Sequence, residues 1–259
     1  MRILLTGNTG YLGSYLSSEL SRRNFQVFCA SRDTLPDIVF DYVIFCNADT
    51  TNLFDDKSQR SVYNLLRQCK QKYHQAKFIF FSSYYVYNGL SKFGLSEKEG
   101  ETSSFFAYQK YKLFSERYLS EDDLVLRLGK LFANPYRVNK NFIGSLRRNK
   151  KITVDDCLFN PVSVYQVLDA IDYELSSGRL KGIYNLGNED HSSHHKFSED
   201  FKEVFDLDLE IELSSRKNTL PNYGMFLMDL NKIRSKIKLR NYVDDIKLFK
   251  QYVNIRRND

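Results

Sequence analysis

The chain has 259 residues and a formal net charge of +6 at pH 7; 42% of its residues are apolar and 27% are charged. These values are ordinary for a globular protein that can bury a sizeable core. No run of about eighteen apolar residues occurs and the N-terminus is not predicted to be a signal peptide, so no membrane span is expected and the cytoplasm is the predicted location.

The first half of the chain alternates between strand-like and helical segments. Helical periodicity is found at 11–24, 58–74 and 104–120. Strand-like apolar runs are found at 2–6, 26–30, 42–46, 77–82 and 124–129. Strands without strict apolar and polar alternation are typical of a parallel sheet that is covered on both faces. The sequence therefore predicts an α/β fold with a Rossmann-type, doubly wound parallel sheet.

The pattern changes after about residue 130. Helices are predicted at 163–177, 197–205 and 229–237, and the strand candidates shorten to 151–154, 182–186 and 209–213. We interpret this part as a smaller C-terminal lobe. The first domain is predicted to comprise 1–130 with returning segments at about 160–190, and the lobe is predicted to comprise the remainder of 131–259.

A glycine-rich turn joins the first strand to the first helix. Gly7, Gly10 and Gly13 in "LLTGNTGYLGSYL" form a G-x-x-G-x-x-G pattern. Glycines in such a strand–turn–helix allow a tight turn, let the backbone approach a pyrophosphate and let the helix pack close to the strand. The sequence therefore predicts a dinucleotide-binding turn.

The end of the second strand favours NADP(H) over NAD(H). An acidic residue at this place binds the ribose 2′-hydroxyl of NAD, whereas this chain has Ser31 followed by Arg32. An arginine pairs with a 2′-phosphate through charge-assisted hydrogen bonds. Asp33 follows directly and leaves NAD(H) open as the alternative.

A tyrosine and a lysine lie four positions apart in the helix predicted at 104–120. At this spacing Tyr108 and Lys112 share one face of the helix. A chain with 18 tyrosines and many lysines produces such pairs by chance. The pair therefore gains meaning only in combination with other motifs.

Seven segments along the chain form a recognisable series of motifs. In chain order they are "TGNTGYLG", "FFSSYYVYNG", "YQKYK", "LRLGKLFANP", "NPVSVYQVLDAI", "GIYNLGNE" and "MDLNKI". Together they resemble the motifs of the extended short-chain dehydrogenase/reductases, which act on nucleotide sugars. The resemblance covers nearly the whole chain, and the order and separation of the segments make it specific.

This resemblance implies three catalytic residues. Tyr108 would be the catalytic acid/base, Ser83 would hold the reacting oxygen, and Lys112 would hydrogen-bond the nicotinamide ribose. A free phenol has a pKa near 10, which is high for a base at neutral pH. An ammonium one helical turn away favours the phenolate, so Lys112 is expected to lower the pKa of Tyr108.

The resemblance also implies the remaining contact residues. The predicted cofactor contacts are Gly7, Thr9, Gly10, Tyr11, Leu12, Gly13, Ser31, Arg32, Asn47, Ala48 and Lys112. The predicted substrate contacts are Ser83, Tyr84, Tyr85, Asn141 and Phe142, with Arg137 or Arg147 as candidates for a sugar diphosphate. The chain departs from the family near Ser58, where an asparagine is frequent, and at Asn134-Pro135, which replaces the usual Gly-Pro.

Within this family, the short chain and the stretch 150–171 resemble the dTDP-4-dehydrorhamnose reductases more than the longer epimerases. The reaction implied is NAD(P)H-dependent reduction of a 4-keto-6-deoxy nucleotide sugar, with Tyr108 as the proton donor. The partner implied is a small nucleotide-sugar substrate that binds the C-terminal lobe. A homodimer remains open as the assembly.

Other functions remain open to different degrees. An NAD-dependent 4-epimerase uses the same serine, tyrosine and lysine, whereas a dehydratase would add an acidic pair that "SSYYVY" lacks. The intact catalytic set argues against a non-catalytic regulatory subunit of this fold. The basic clusters at 147–151 and 234–240 are expected to be solvated helix faces, since no stacking aromatic motif accompanies them; neither nucleic-acid nor membrane binding is predicted.

No metal site and no disulfide are predicted. The four cysteines lack zinc spacing, and Cys29 and Cys46 are expected to be buried. The remaining polar candidates are expected to be turn, capping or solvated loop residues, namely Asp155, Asp156, His191, Ser192, Ser193, His194 and His195.

Overall fold

The structure is a computed structural model that describes residues 1–30, 34–87, 90, 93–100, 106–138, 141–214 and 227–255, without the side chains of residues 141 and 255. The chain divides into two compact units. The first unit comprises Met1–Asn88, Glu97–Leu128 and Ser177–Tyr184. The second unit comprises Gly89–Ser96, Gly129–Ser176 and Asn185–Asp259.

The secondary structure elements are numbered in chain order. The helices are α1 (Tyr11–Arg22), α2 (Asp56–Lys72), α3 (Ala107–Tyr118), α4 (Asn141–Arg148), α5 (Val164–Ser177), α6 (His194–Phe205), α7 (Asn231–Arg234) and α8 (Tyr242–Ile255). The strands are β1 (Arg2–Thr6), β2 (Gln26–Ala30), β3 (Tyr42–Phe45), β4 (Lys77–Ser83), β5 (Phe93–Leu95), β6 (Leu124–Leu128), β7 (Lys130–Phe132), β8 (Lys151–Val154), β9 (Leu158–Phe159), β10 (Pro161–Ser163), β11 (Gly182–Leu186), β12 (Ser192–Ser193), β13 (Glu210–Leu213) and β14 (Leu227–Met228). A 3₁₀ turn (Tyr84–Tyr87) follows β4.

Six strands form one central sheet in the order β11-β6-β4-β3-β1-β2. β1 pairs in parallel with β2 and β3, and β4 pairs in parallel with β3 and β6. The chain leaves β1 toward β2 on one side and returns as β3 on the other. The carboxyl ends of β1 and β3 therefore form a topological switch point, which is where ligands bind in doubly wound sheets. The predicted Rossmann-type sheet is confirmed.

The central sheet is buried on both faces. Leu4 and Leu5 of β1 are fully buried although successive side chains point to opposite faces, and Phe78 and Ile79 repeat this in β4. This burial explains why the strand sequences lack polar alternation. β2 lies at the edge of the sheet, and Cys29 is exposed there, so its predicted burial was wrong.

The second unit is built around aromatic side chains. Phe197 and Phe201 are four residues apart on α6 and are buried, as is Phe249 of α8. The ring of Phe197 meets Phe132 of β7 edge-on, with 5.2 Å between centroids. Two-stranded pairings such as β8–β13 and β7–β10 complete this unit.

Most predicted elements are present, within a few residues of the predicted ends. The helix predicted at 229–237 is the short α7, and the helices α4 and α8 were not predicted. With these two helices the units are of similar length, whereas a smaller C-terminal lobe was predicted.

None of the helices within the described ranges is long and apolar enough to cross a membrane.

Candidate active site

The glycine turn after β1 is built for close backbone approach. Gly7 has φ +74°, and a Cβ there would lie 2.9 Å from the backbone nitrogen of Asn47 at the end of β3. A Cβ on Gly13 would lie 2.2 Å from the carbonyl oxygen of Gly7. Only glycine fits both positions, because one requires a positive φ and the other leaves no room for a side chain.

The start of the helix that follows the turn has a charge that suits an anion. Gly10 is the N-cap of α1, and the first turn of the helix contains no acidic residue. The helix dipole favours negative charge at this end, as the phosphates of a dinucleotide require.

Three buried polar side-chain atoms at the carboxyl ends of neighbouring strands have no hydrogen-bond partner among the described residues. They are Thr6 Oγ1 at the end of β1, Asn47 Oδ1 after β3 and Ser82 Oγ near the end of β4. Buried polar atoms normally have partners, because an unmade hydrogen bond there is costly. The residues at this edge of the sheet therefore fit a polar ligand such as a dinucleotide.

The loop after β3 is organised by Asp49, a residue that the sequence analysis did not single out. Asp49 Oδ1 accepts hydrogen bonds from the backbone N–H of Thr51 and Asn52, and Oδ2 accepts from Ser58 Oγ. The hydrogen bond from Ser58, together with those from Asn52 and Thr51, holds the pKa of Asp49 well below its usual range. An acid followed by "TTN" is a turn signal that could have been recognised.

Ser83, Tyr108 and Lys112 come together at the carboxyl end of β4. Ser83 is the last residue of β4, and its hydroxyl hydrogen-bonds the Tyr108 side chain. Lys112 Nζ lies 5.4 Å from the ring centroid of Tyr108 and donates to the carbonyl oxygen of Phe81 over 2.7 Å. The three side chains are buried, with about 7% of each residue exposed. The sequence spacing is thus matched by a cluster in space.

The protonation of Tyr108 differs from the sequence-based expectation. Burial raises the pKa of Tyr108 to about 12, and the hydrogen bond from Ser83 opposes this shift. Lys112 was expected to lower this pKa, but its ammonium is turned to the carbonyl oxygen of Phe81 and burial dominates. A phenol with this pKa is protonated at neutral pH, which is the form that a proton donor needs.

Aromatic rings border the tyrosine. Tyr85 meets Tyr108 edge-on with 6.1 Å between centroids, and Tyr84 stacks on Tyr85 at 4.6 Å. Phe106 also contacts Tyr85, at 5.6 Å. Tyr84 and Tyr85 therefore form an aromatic cluster beside Tyr108, and Tyr87 is fully buried as a packing residue.

The remaining predicted cofactor and substrate residues are only partly covered by the structure. Ser31 and Arg32 lie outside the described residues, as does Asp33, and so does the side chain of Asn141. Ala48 is exposed in the loop after β3, and Leu12 is buried in α1. The remaining predicted cofactor residues, Thr9 and Tyr11, flank Gly10 at the start of α1.

The second unit contains a polar cluster that the sequence analysis missed. Lys130 Nζ lies 2.7 Å from His194 Nε2, and His194 Nδ1 lies 2.6 Å from Asp155 Oδ1. A carboxylate only accepts, so Nδ1 donates to Asp155 and Nε2 accepts from Lys130. Phe142 covers the ammonium, with 4.6 Å from Nζ to its ring centroid. Asp155 and His194 are thus partners of a largely buried lysine. The predicted solvation of His194 was wrong, whereas Asp155 lies in a loop between β8 and β9 as predicted.

Burial sets the charge states in this cluster. It lowers the pKa of Lys130 to about 8 and also lowers the pKa of His194, on which Lys130 acts in the same direction.

The other polar candidates of the second unit have separate roles. Ser193 is the N-cap of α6, as expected for a capping residue, and accepts from the N–H of Lys196. The Arg147 guanidinium lies 5.9 Å from the ring centroid of Phe205. Within the described part of the chain, no group of acidic, histidine and cysteine side chains could hold a metal ion.

Comparison with known proteins rests on solved structures, because no protein-family model and no curated protein sequence matches the chain. A dTDP-4-dehydrorhamnose reductase from Bacillus anthracis in complex with NADP is 17% identical, with a TM-score of 0.78 over 96% of this chain and 98% of that one. A second dTDP-4-dehydrorhamnose reductase, from Clostridium acetobutylicum, is 18% identical, with a TM-score of 0.79 over 99% of this chain and 100% of that one.

Epimerases have the same fold. A UDP-glucose 4-epimerase from Bifidobacterium longum, solved with NAD+ and UDP, is 14% identical, with a TM-score of 0.74 over 100% of this chain and 99% of that one. The neighbours are thus nucleotide-sugar reductases and epimerases, as the sequence resemblance implied. The chain has the same fold as these reductases and this epimerase.

Proposed function

We propose that the protein catalyses NADPH-dependent reduction of a 4-keto-6-deoxy nucleotide sugar. The observation that carries this proposal is the buried cluster of Ser83, Tyr108 and Lys112, which lies at the carboxyl end of β4 in the same sheet as the glycine turn. A proton donor and an adjacent cation beside a dinucleotide-binding turn are what carbonyl reduction needs.

The cofactor is assigned to the switch point of the central sheet. Gly7, Gly10 and Gly13 allow a diphosphate to approach the backbone, and the dipole at the start of α1 favours its charge. Asn47 would supply a buried oxygen that has no hydrogen-bond partner in the described part of the first unit. Arg32 supports NADP(H) by its sequence position, and NAD(H) is the alternative.

The bound nicotinamide would supply the hydride, and the residues of this chain would handle the oxygen and its proton. Ser83 donates a hydrogen bond to the carbonyl oxygen and fixes its position. Tyr108, protonated at neutral pH, transfers its phenolic proton to that oxygen as negative charge develops there. Lys112 places a positive charge 5.4 Å from the ring centroid of Tyr108 and, by the family resemblance, would hydrogen-bond the nicotinamide ribose.

The second unit is assigned to substrate recognition. Phe142 and the side chain of Asn141 are the predicted substrate contacts of this unit. A sugar ring packs well on aromatic faces, and a nucleotide sugar carries a diphosphate that a basic side chain would pair with. A cytoplasmic location and a homodimer belong to the same proposal.

An NAD-dependent 4-epimerase is the second candidate. It is supported by the likeness to the UDP-glucose 4-epimerase and by the shared serine, tyrosine and lysine. The high pKa of Tyr108 favours reduction, because an epimerase begins by removing a proton and needs the phenolate.

Both candidates can be tested with one set of substrates. Purified protein is incubated with NADPH and a panel of 4-keto nucleotide sugars, and NADPH oxidation is followed by absorbance. The proposal expects oxidation with at least one 4-keto-6-deoxy sugar, and loss of that oxidation in Tyr108→Phe. Interconversion of UDP-hexoses with NAD+, without NADPH oxidation on any ketone, would favour the epimerase instead.

A further inference from the structure

A buried carboxylate lies one helical turn after Lys112. Glu116 follows Lys112 by four residues on α3, so the two side chains share a face of the helix. Its side chain is only 3% exposed. Carboxylates are rarely buried to this extent unless they are paired, because their charge loses its hydration.

The partner of Glu116 is Arg127 of β6. Arg127 Nε donates to Glu116 Oε1 over 3.0 Å, and Arg127 Nη2 donates to Oε2 over 2.7 Å. This bidentate geometry is a strong form of the ion pair. It also fixes the direction of the Glu116 side chain, since both oxygens are held.

Arg127 also holds the two chain segments that lead away from Ser83 and toward α3. Its Nη1 donates to the Tyr87 hydroxyl over 2.8 Å and to the carbonyl oxygen of Glu99 over 2.7 Å. Tyr87 ends the 3₁₀ turn that follows Ser83, and Glu99 precedes α3 in the chain. One guanidinium therefore joins the surroundings of all three catalytic candidates.

The surroundings of Lys112 explain what a fixed carboxylate could do. Its ammonium donates to the carbonyl oxygen of Phe81 and lies over the rings of Phe80 and Tyr108, 4.7 and 5.4 Å from their centroids. Glu116 on the same helix and Cys46 after β3 act on it electrostatically. Burial lowers the pKa of Lys112 to about 8, and Glu116 is the strongest influence that opposes this shift. Without Glu116 the lysine would lose its proton more readily.

We propose that Glu116 is a positioning residue that keeps Lys112 protonated, and that Arg127 holds the Glu116 carboxylate in place for this purpose. The inference rests on the proposed function in so far as Lys112 must be a cation beside the phenol and the cofactor. Structural stability alone is a weak reason for such a pair, because replacing a buried ion pair with apolar residues is often neutral or stabilising.

The first experiment measures the protonation of Lys112 without turnover. Protein labelled with ¹³C at lysine Cε is titrated by NMR, and the Lys112 resonance is assigned by its loss in Lys112→Arg. In Glu116→Gln we expect the titration midpoint of Lys112 to fall by about one pH unit or more, the size expected for losing a buried charge one turn away. An unchanged midpoint would overturn the proposal.

Asp56→Asn is the matched control. It makes the same change from acid to amide in an ion pair with Lys110, also on α3, but this pair is exposed. The Lys112 midpoint should stay at its wild-type value in this variant, because solvent screens the charge. A shift as large as that in Glu116→Gln would show that any carboxylate near α3 suffices, which contradicts the assigned role.

A second variant covers the case in which Glu116→Gln fails to fold because Arg127 is left unpaired. The double variant Glu116→Gln/Arg127→Met removes both charges and avoids that penalty. Its Lys112 midpoint should also lie below the wild-type value, and a wild-type midpoint would contradict the proposal.

The outcome is independent of the proposed reaction. If no ketone is reduced but Glu116→Gln lowers the Lys112 midpoint, the proposed function fails and the role of Glu116 stands. If ketones are reduced but the midpoint does not move, the role of Glu116 fails alone. If both hold, the fall of kcat/KM at alkaline pH should move to lower pH in Glu116→Gln by the same amount as the midpoint.

Discussion

At the scale of single residues, the hydroxyl of Tyr108 is the atom on which the proposed reaction depends. Tyr108→Phe removes the proton donor but keeps the ring that packs against Tyr85. We expect the rate of reduction to fall by about 10²- to 10⁴-fold, the usual contribution of general acid–base catalysis. Single-turnover NADPH oxidation measures this loss.

The control measurement for Tyr108→Phe is its affinity for NADPH, which is determined by fluorescence titration. It should stay close to that of the wild type, because the lost hydroxyl faces Ser83. A variant that keeps more than about a tenth of the wild-type rate would contradict the role of Tyr108 as the acid.

The cofactor preference depends on Arg32. Arg32→Ala should weaken NADPH binding while leaving NADH binding nearly unchanged, because only NADPH has a 2′-phosphate for the guanidinium. A charge-assisted contact of this kind is worth roughly 1.5–3 kcal/mol, which corresponds to about a tenfold or greater change in Kd. Fluorescence titration of both cofactors gives the comparison. An equal loss of affinity for NADPH and NADH would mean that Arg32 does not contact the 2′-phosphate.

The pH dependence of the reaction should report Lys112. Burial lowers the pKa of Lys112 to about 8, so the ammonium is lost as the pH rises through this value, whereas Tyr108 with its pKa of about 12 stays protonated. We therefore expect kcat/KM for NADPH, which reflects the free enzyme, to fall above about pH 8. In Lys112→Arg the side chain keeps its charge at every accessible pH, and residual activity should lack this fall. A fall at the same pH in Lys112→Arg would assign it to another group.

At the scale of elements, the loop between β3 and α2 carries two residues of the proposed cofactor site, Asn47 and Ala48. Asp49→Ala removes the acceptor for Thr51, Asn52 and Ser58. We expect weaker NADPH binding, because Asn47 and Ala48 precede Asp49 directly, and a loss of stability of about 1–2 kcal/mol from the broken hydrogen bonds. Cofactor titration and urea unfolding measure the two effects.

Asp55→Ala is the control for the loop, because it also removes a side-chain acceptor at the start of α2. Asp55 is the N-cap of this helix and accepts from the N–H of Lys57. Its loss should destabilise the protein by about 1 kcal/mol without weakening NADPH binding. Equal losses of NADPH affinity in both variants would mean that the loop acts only through stability.

At the scale of the whole molecule, buried lysines should make stability depend on pH. The pKa of Lys130 falls from 10.5 to about 8 on burial. Between these values the unfolded chain binds more protons than the folded chain, so this group makes the free energy of unfolding rise with pH from about 8 to 10.5. Lys130→Met should remove this rise. The free energy of unfolding of the variant should therefore exceed that of the wild type by the largest amount below pH 8.

Urea unfolding of wild type and Lys130→Met at several pH values tests this expectation. The difference in unfolding free energy should shrink by more than about 1 kcal/mol between pH 8 and 10.5, since one pKa unit corresponds to about 1.4 kcal/mol. Lys247→Met, at an exposed lysine paired with Asp244, is the control and should show no such change. A constant difference for Lys130→Met would mean that the ammonium is not buried in solution.

The sequence by itself determined the local structure and the fold class. The central strands, α1, α2 and the glycine turn could be predicted because apolar runs, helical periodicity and glycine spacing act over a few neighbouring residues. The pairing of Tyr108 with Lys112 follows from the helical repeat, and the motif order indicated the fold that the solved structures confirm.

The tertiary structure decided the environments of the site residues. Lys130, His194 and Asp155 are far apart in sequence, and Glu116 meets Arg127 across α3 and β6, so no local pattern could pair them. Burial also reversed the expected direction of the pKa of Tyr108. Solvent access and long-range packing set the charge of these groups, and both arise only when the strands and helices assemble.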